Sequence, residues 1–326
     1  MSRGSLLIFV VWTISLLSIL IAGMAGQSQF ALSLTQRMEQ RLNGSYLAMA
    51  GLERAVKVLS EDLTIAFDGF GDDWANNPLA FDRQPVGEGV FTIGSELPDG
   101  SAPGTYGLMD EERKINLNTA PHTVLQTLME RVGRVREHDA EAMADAIEDW
   151  RDEDTETKPH GAENFYYQGL QDAYESKDGP FENIEELLLI RGMTPEVYAR
   201  LVPVITVYGS GQVNVNTAPR GAWQALGLSD SAINGILQQR AGDDKQEGTM
   251  DDRAITSTLA IEGELASTVS IQERHRIAQL VEQNVLTVRS EAFRASITAT
   301  AHGATYPVHV ECVISRDGAV KLWAEQ

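Results

Sequence analysis

The sequence contains a single cysteine, Cys312, among 326 residues. One cysteine forms no internal disulfide, so the fold must be stabilised by its core or by a bound metal. Basic residues are also scarce, because 26 Lys and Arg stand against 47 Asp and Glu and the formal net charge is −21. A chain this acidic repels nucleic acid and anionic lipid surfaces, so binding to DNA or RNA is not expected. The charge suits a cation or a basic partner instead.

Catalytic motifs are missing as well. The six histidines are scattered, with no His-x-x-x-His pair. The chain has no Gly-x-Ser-x-Gly elbow, no phosphate-binding loop and no Gly-x-Gly-x-x-Gly. Carboxylates are abundant, but nothing in the sequence marks one of them as a proton donor. The sequence therefore predicts a protein that is not an enzyme.

Charged residues are absent from Ser5 to Ala25. About 20 residues at ~1.5 Å each span roughly 30 Å, which is the thickness of bilayer hydrocarbon. This predicts a transmembrane helix, and Arg3 before it places the N-terminus on the cytoplasmic side. The alternative is a secretory signal cleaved after Ala25. The apolar run is longer than the usual signal core of about 7–15 residues, which favours the membrane anchor.

Proline is absent from Ser5 to Asp72, and helical spacing of apolar residues continues beyond the anchor. We therefore expect one helix that runs to residue 67 and packs an apolar stripe on the domain that follows. The stripe consists of Leu34, Met38, Leu42, Tyr46, Leu52, Val56, Leu59 and Leu63.

Strand patterns occur on both sides of a long helical region. Residues 68–88 have loop composition, and Gly89–Ser95 and Thr105–Met109 are predicted to form a hairpin around the turn Leu97–Gly104. Near the C-terminus, Phe293–Ala301 and Pro307–Ser315 alternate apolar and polar residues.

The turn Arg316–Gly318 leads from these strands into a third, which gives an antiparallel meander. Cys312 falls on the core face of this meander, where we expect no redox role.

An internal repeat opens the helical region. Ile115–Leu128 reads INLNTAPHTVLQTL and Val213–Leu226 reads VNVNTAPRGAWQAL. Each copy places a proline, Pro121 or Pro219, in the first turn of a helix that follows a short strand. Each copy is thus predicted to start a helical subdomain.

Two further segments, Leu187–Leu201 and Ala225–Arg240, resemble helix-hairpin-helix turns. Arg191 is the only base at the turn of the first hairpin, and this together with the acidity of the chain favours a packing unit over a DNA site.

Carboxylates are densest in Asp149–Glu163 (DWRDEDTETKPHGAE). From Asp152 as position one, the acidic residues fall in the register of an EF-hand calcium loop. Thr157 stands where that loop needs glycine, so we predict converging oxygen ligands and not an EF-hand. A solvated charge run is the alternative. The predicted calcium ligands are Asp149, Asp152, Asp154 and Glu163, with Glu156 and Asn164 in reserve.

A second acidic run, Ala241–Asp252, has the composition of a flexible loop, which is a simpler interpretation than a second cation site.

The short leader Met-Ser-Arg-Gly before an apolar helix resembles the signal of type IV pilins and pseudopilins. In those proteins a prepilin peptidase cuts after the glycine, which corresponds here to a cut between Gly4 and Ser5. Most such proteins carry glutamate at the fifth mature position, where this chain has Phe9.

Taken with the rest of the chain, the sequence resembles the protein K family of the general secretion pathway, the large minor pseudopilins of the type II secretion system. The missing glutamate agrees with that family. The segments that carry the resemblance are Asp110–Asn118, Asp149–Asp154, Gly161–Glu163, Tyr166–Tyr167, Phe181–Leu187, Gly192–Glu196 and Val213–Pro219.

The resemblance implies an α+β pseudopilin fold, a long N-terminal helix on a small antiparallel sheet, with a large insertion of two SAM-like, helix-hairpin-helix-like subdomains. The predicted organisation is leader 1–4, transmembrane helix 5–25, periplasmic helix 26–67, first sheet part 68–112, subdomains 113–212 and 213–285, and C-terminal strands 286–326.

It also implies calcium in the helical part and a single-pass inner-membrane protein with a periplasmic domain. The expected partners are the I and J minor pseudopilins, the major pseudopilin and the prepilin peptidase. The expected role is at the tip of a pseudopilus, starting or limiting its growth. The alternatives are a membrane-tethered DNA-binding protein and a free periplasmic calcium-binding protein.

Overall fold

The computed structural model describes residues 3–62, 64, 66–94, 106–249 and 251–325. The first two leader residues and the predicted turn Leu97–Gly104 lie outside these ranges. The helices are α1 (Arg3–Ser60), α2 (Pro78–Phe81), α3 (His122–Arg131), α4 (Glu137–Arg151), α5 (Asn164–Tyr167), α6 (Pro195–Leu201), α7 (Arg220–Ala225), α8 (Asp230–Arg240), α9 (Ile261–Glu264) and α10 (Ile271–Glu282).

The strands are β1 (Gln84–Val86), β2 (Gly89–Ile93), β3 (Met109–Asp110), β4 (Ile115–Asn116), β5 (Ile205–Thr206), β6 (Val213–Asn214), β7 (Leu286–Thr287), β8 (Ala292–Thr300), β9 (Val308–Ser315) and β10 (Val320–Glu325). Short 3₁₀ turns occur at Ile184–Leu189, Val202–Val204, Thr258–Ala260 and Leu265–Ser267.

The long helix ends at Ser60 and does not continue to residue 67 as predicted. Just beyond this end, the Asp62 carboxylate accepts hydrogen bonds from the backbone N–H of Thr64 at 2.9 Å and from its hydroxyl at 2.8 Å. Such local side-chain bonds compete with the helical backbone pattern, so the chain turns here.

The main sheet is antiparallel and carries the strands in the order β1-β2-β8-β9-β10, while β3 pairs with the other end of β8. The C-terminal meander β8-β9-β10 is confirmed, and the thiol of Cys312 is buried in its core. The predicted hairpin was wrong. Strand β2 pairs with β1, within the segment expected to be a loop, and it does not pair with residues 105–109.

Helix α1 reaches the sheet through small residues. A Cβ atom built on Gly44 would lie 2.5 Å from Val308 Cγ2, and one on Gly51 would lie 2.9 Å from Ile297 Cγ2. Ala48 and Ala55 continue this face and are fully buried. Because small residues allow close approach, this face forms the contact. The predicted stripe is confirmed in its C-terminal part, where Leu52 and Val56 are half-buried against the sheet core and Leu59 is buried in it. Its N-terminal part is exposed at Leu34, Met38, Leu42 and Tyr46, and Leu63 is not described.

The two copies of the repeat each begin a lobe of the helical insertion. The first lobe (residues 115–206) is closed by parallel pairing of β4 with β5, and the second lobe (residues 213–287) by parallel pairing of β6 with β7. Both lobes share one continuous apolar core.

The same arginine contact recurs in each lobe. Arg151, at the end of α4, donates to the carbonyls of Leu117 and Ala120. Arg240, at the end of α8, donates to the carbonyls of Val215 and Ala218. A guanidinium with several donors thus holds the Asn-Thr-Ala-Pro turn in both lobes.

A buried polar joint connects the insertion to the sheet. The insertion leaves after β3 and returns at β8, and these two strands pair with each other, so its ends lie side by side. Asp110, at the end of β3, is buried and accepts hydrogen bonds from the Thr217 hydroxyl and the Asn214 amide of the second lobe. The carboxylate of Glu112 accepts from the backbone N–H groups of Ser210 and Ala292. Burial and the nearby Asp110 charge raise the pKa of Glu112 to about 8.

The repeat supplies a matched test of this joint. Thr217→Val removes the donor to buried Asp110, which leaves a carboxylate oxygen less satisfied, so we expect the free energy of unfolding to fall by about 1–3 kcal/mol. Thr119→Val changes the equivalent residue of the first copy, which is exposed, and should cost less than about 0.5 kcal/mol. Urea unfolding of the two variants followed by tryptophan fluorescence measures the difference. An equal loss of unfolding free energy in the two variants would contradict the role of the Thr217–Asp110 hydrogen bond in the joint.

Candidate anchor helix and acidic loop

The N-terminal half of α1 is not covered by any other described part of the chain. Among the described residues, α1 is the one helix long and apolar enough to cross a membrane. Its side chains from Leu7 to Met24 are exposed almost throughout, and it fits a membrane anchor by length and composition. The backbone of Gly4 and Ser5 lies in the first turn of this helix.

The bare face extends well beyond the anchor. Phe30, Met38 and Tyr46 expose 70%, 67% and 62% of their surface, although the sheet begins to cover the opposite face at Gly44. Apolar side chains in a continuous exposed row mark an interaction surface. The part of the predicted stripe from Leu34 to Tyr46 is therefore a candidate interaction surface.

Asp149 lies in the last turn of α4 and is fully buried. The loop folds back over it, so that the backbone N–H of Lys158 donates to its carboxylate at 3.2 Å. A Cβ atom on Gly161 would lie 1.9 Å from Asp149 Oδ2, which means that only glycine allows this approach. Burial raises the pKa of Asp149 to about 6.

Glu163 comes from the far end of the same loop and exposes only 4% of its surface. Its Oε2 accepts a hydrogen bond from the Ser176 hydroxyl at 3.1 Å, while Oε1 is buried without a partner in the described part of the chain. Burial raises the pKa of Glu163, and the charges of Asp149 and Asp178 add to this effect. Asp152 also has a buried oxygen, Oδ1, for which the described residues supply no donor.

The other predicted ligands lie further out. Asp154 and Glu156 are exposed, and the Asp154 carboxylate accepts from the backbone N–H of Glu156. Asn164 is half-buried and is used internally, because its side chain binds the Ser176 backbone and the Asp178 carboxylate. Of the four principal candidates, Asp149 lies near both Asp152 and Glu163, because besides burial the charge of Asp152 raises the pKa of Asp149 and the charge of Asp149 raises the pKa of Glu163. Asp154 is exposed. Among the described residues, the group whose ligand atoms all lie within 4.8 Å of one another is His122, Asp145 and Glu148, and not this set.

Asp178 was missed by sequence reasoning. Its Oδ1 accepts from the same Ser176 hydroxyl that binds Glu163, at 2.6 Å, and its backbone takes a positive φ of 49°. No sequence spacing connects Asp178 to the acidic loop, because the intervening chain through α5 must first fold back.

The donor set fits a calcium ion. Calcium takes six to eight oxygen ligands, and carboxylates with unsatisfied buried oxygens supply them at low strain. An unpaired buried carboxylate oxygen is costly, and this loop holds two of them in the described part of the chain. The positive charge of Lys158 opposes cation binding in part. Although burial lowers the pKa of Lys158, the charge of Glu148 raises it overall. The Lys158 amine pairs with Glu148 at 3.5 Å and does not bond the loop carboxylates directly.

Two neighbouring clusters are neutralised by protein groups. His122, Asp145 and Glu148 bring ligand atoms within 4.8 Å of one another, but His122 bonds Asp145 at 2.8 Å and Glu148 is paired with Arg151 and Lys158. In the second acidic run, Glu247 pairs with Arg240 and Asp243 with Arg253. The second run nevertheless keeps one buried carboxylate oxygen, Asp252 Oδ1, without a donor among the described residues.

A bare apolar helix whose other half lies on an antiparallel sheet defines a pilin-like protein. A family model described as Type II secretion system (T2SS), protein K, matches residues 107–210. Type II secretion system protein K of Aeromonas hydrophila is 28% identical over 226 residues, and that of Pseudomonas aeruginosa is 26% identical over 225 residues. The chain is thus similar to type II secretion system protein K over 66% of its length.

The matched region covers 66% of this chain and 66% of the Aeromonas hydrophila relative, which is just under two thirds of its length. For the Pseudomonas aeruginosa relative the two shares are 66% and 65%. A solved chain from the GspK-GspI-GspJ complex of enterotoxigenic Escherichia coli superimposes with a TM-score of 0.68. The likeness covers 90% of this chain and 99% of the solved one at 18% sequence identity, and it shows that the two share a fold.

Gly161 offers a test of the loop geometry. Gly161→Ala forces a methyl group against the Asp149 carboxylate, so we expect a loss of about 1–3 kcal/mol in the free energy of unfolding. Gly179→Ala is the matched control in the same region, because the nearest atom to its added Cβ lies 3.8 Å away. Urea unfolding followed by tryptophan fluorescence compares the two, and a neutral Gly161→Ala would contradict the close approach.

Proposed function

We propose that this chain is a minor pseudopilin at the tip of the type II secretion pseudopilus, where it starts or limits fibre growth during protein export across the outer membrane. The observation that carries the proposal is the combination of a bare α1 with a bulky insertion. The bare face is suited to packing in a bundle of similar helices. The insertion, which spans about half of the chain, is attached beside the sheet that covers α1.

The position at the tip follows from bulk. In a helical fibre every subunit repeats the same contacts at a short axial step, so a large protrusion from each copy would overlap its neighbours. A subunit at the end has neighbours on one side only. The insertion is therefore tolerated at the end of the fibre and nowhere else along it.

The proposed partners are the I and J minor pseudopilins, and the solved GspK-GspI-GspJ complex, which contains a chain of the same fold, supports this. The major pseudopilin would contact α1 below the tip, and the prepilin peptidase would cut between Gly4 and Ser5. The apolar run supports an inner-membrane location with the remaining domain in the periplasm.

We propose no nucleic-acid partner. The two glycines of the hairpin-like turns, Gly192 and Gly227, take positive φ values of 84° and 81°. Phosphate binding at such turns needs nearby basic side chains. Arg191 is engaged by the Gly161 carbonyl, and Glu273 accepts from the backbone N–H of Ser229 at the second turn. The net charge of −21 adds long-range repulsion.

The decisive experiment is the N-terminal mass of the chain purified from membranes of its own host, with and without the prepilin peptidase. We expect a mature chain that starts at Ser5, and this start should disappear when the peptidase gene is deleted. In the same cells, immunogold labelling of sheared pseudopili should place the chain at one end of the fibre. A mature chain that starts near Gly26 would contradict the membrane anchor. Gold label along the whole fibre would contradict the position at the tip.

We also propose that calcium binds the loop formed by Asp149, Asp152 and Glu163. The two buried carboxylate oxygens without donors support this. When bound, calcium would offset the repulsion among the carboxylates and hold the loop against α4. Asp149 and Glu163 would be central ligands because both are buried, and Asp154 peripheral because it is exposed.

Isosteric variants test this assignment. Calcium at about 100 times its Kd should stabilise the wild type by about 2.7 kcal/mol, which a thermal melt detects. Asp149→Asn and Glu163→Gln should each remove most of that gain, whereas Asp154→Asn should keep it. Titration calorimetry gives the affinity directly. Equal effects of all three variants, or a wild type that calcium does not stabilise, would contradict the assignment.

A further inference from the structure

An exposed apolar patch lies on the first lobe, away from the bare face of α1. It consists of Phe165, Tyr166, Leu170, Leu188 and Leu189, which expose 95%, 37%, 36%, 43% and 43% of their surface. Large apolar side chains gathered on a soluble surface mark contact sites. Neither the sheet nor α1 supplies any of these residues.

The patch is rigidly supported. Tyr174 stacks on buried Tyr167 with ring centroids 5.2 Å apart, and its hydroxyl donates to the Leu189 carbonyl at 2.6 Å. Tyr167 also packs edge-on against Tyr166 at 5.2 Å. These contacts connect α5, which carries Phe165 and Tyr166, to the leucine side of the patch.

The chain around the patch is acidic. From residue 163 to residue 189, seven acidic residues stand against one lysine, Lys177. Lys177 is already bound to Glu186 at 2.9 Å. Asp172, Glu175 and Glu185 are exposed in the segments that carry the patch. Arg191 also reaches the patch, because its guanidinium stacks 4.9 Å from the centre of the Tyr166 ring while it donates to the Gly161 carbonyl. An apolar centre with a mainly acidic rim favours a partner of the opposite charge and disfavours acidic ones.

We propose that this patch is a docking surface for a polypeptide segment in which lysine or arginine residues flank aromatic or aliphatic ones. The apolar side chains of the segment would cover Phe165 and the two leucines, and its basic groups would face the acidic rim. This surface is separate from the bare face of α1, so the chain could hold such a partner while α1 remains packed with neighbouring helices.

The test uses the full chain in phosphatidylcholine nanodiscs, with calcium held constant. The probe is a fluorescent 12-residue peptide of alternating lysine and leucine, and the control peptide alternates glutamate and leucine. Fluorescence anisotropy should show binding of the lysine peptide that weakens as salt rises. The glutamate peptide and empty nanodiscs should give no such signal.

Phe165→Ser and Leu188→Ser should each weaken binding of the lysine peptide by about tenfold. Leu259→Ser is the matched control, because Leu259 is 91% exposed in the second lobe and lies near Glu262. Unchanged thermal melts would exclude misfolding of the variants. No binding by the wild type, binding that survives both patch variants, or an equal loss in Leu259→Ser would overturn the proposal. Self-association that depends on Phe165 would assign the patch to a second copy of this chain and also overturn it.

Discussion

The architecture depends on the short pairing of β3 with β8 and on the buried carboxylate at its end. That pairing sets the departure and the return of the insertion side by side, so a large helical body can leave a small sheet without disturbing the strands beyond it. Asp110 then joins this point to the second lobe through Thr217 and Asn214. A buried carboxylate needs its donors, so these contacts restrict how the insertion sits on the sheet.

Local patterns in the sequence predicted a large part of this fold. The alternation of apolar and polar residues predicted the C-terminal strands. The proline after each Asn-Thr-Ala triplet predicted the starts of α3 and α7, because a helix start tolerates the missing backbone N–H of proline. Long-range pairing could not be read from such patterns. The partner of β2 depends on a three-residue strand, Gln84–Val86, whose composition is that of a loop.

In the acidic loop, too, some features could be predicted from local sequence and others depend on the fold. Local charge density identified Asp149, Asp152 and Glu163, but spacing alone ranked Asp154 with them, although the loop leaves it exposed. Asp178 required the fold itself. On α1, periodicity predicted the packing of Leu52, Val56 and Leu59 but not the exposure of Leu34 to Tyr46. It counts large apolar residues and overlooks the glycines and alanines that allow a helix to touch a sheet.

The two lobes provide an internal comparison that argues for a specific role of the first acidic loop. Both lobes hold their Asn-Thr-Ala-Pro turn with an arginine at the end of a helix, and both continue from that arginine into an acidic loop. In the second lobe the same arginine, Arg240, also neutralises Glu247 of the loop. In the first lobe Arg151 pairs with Glu148 and leaves the carboxylates of Asp149 and Glu163 to crowd one another. Burial raises the pKa of Asp149 and of Glu163, so carrying both charges is unfavourable without a partner. The proposed calcium ion would supply that partner in the first lobe, as Arg240 does for Glu247 in the second.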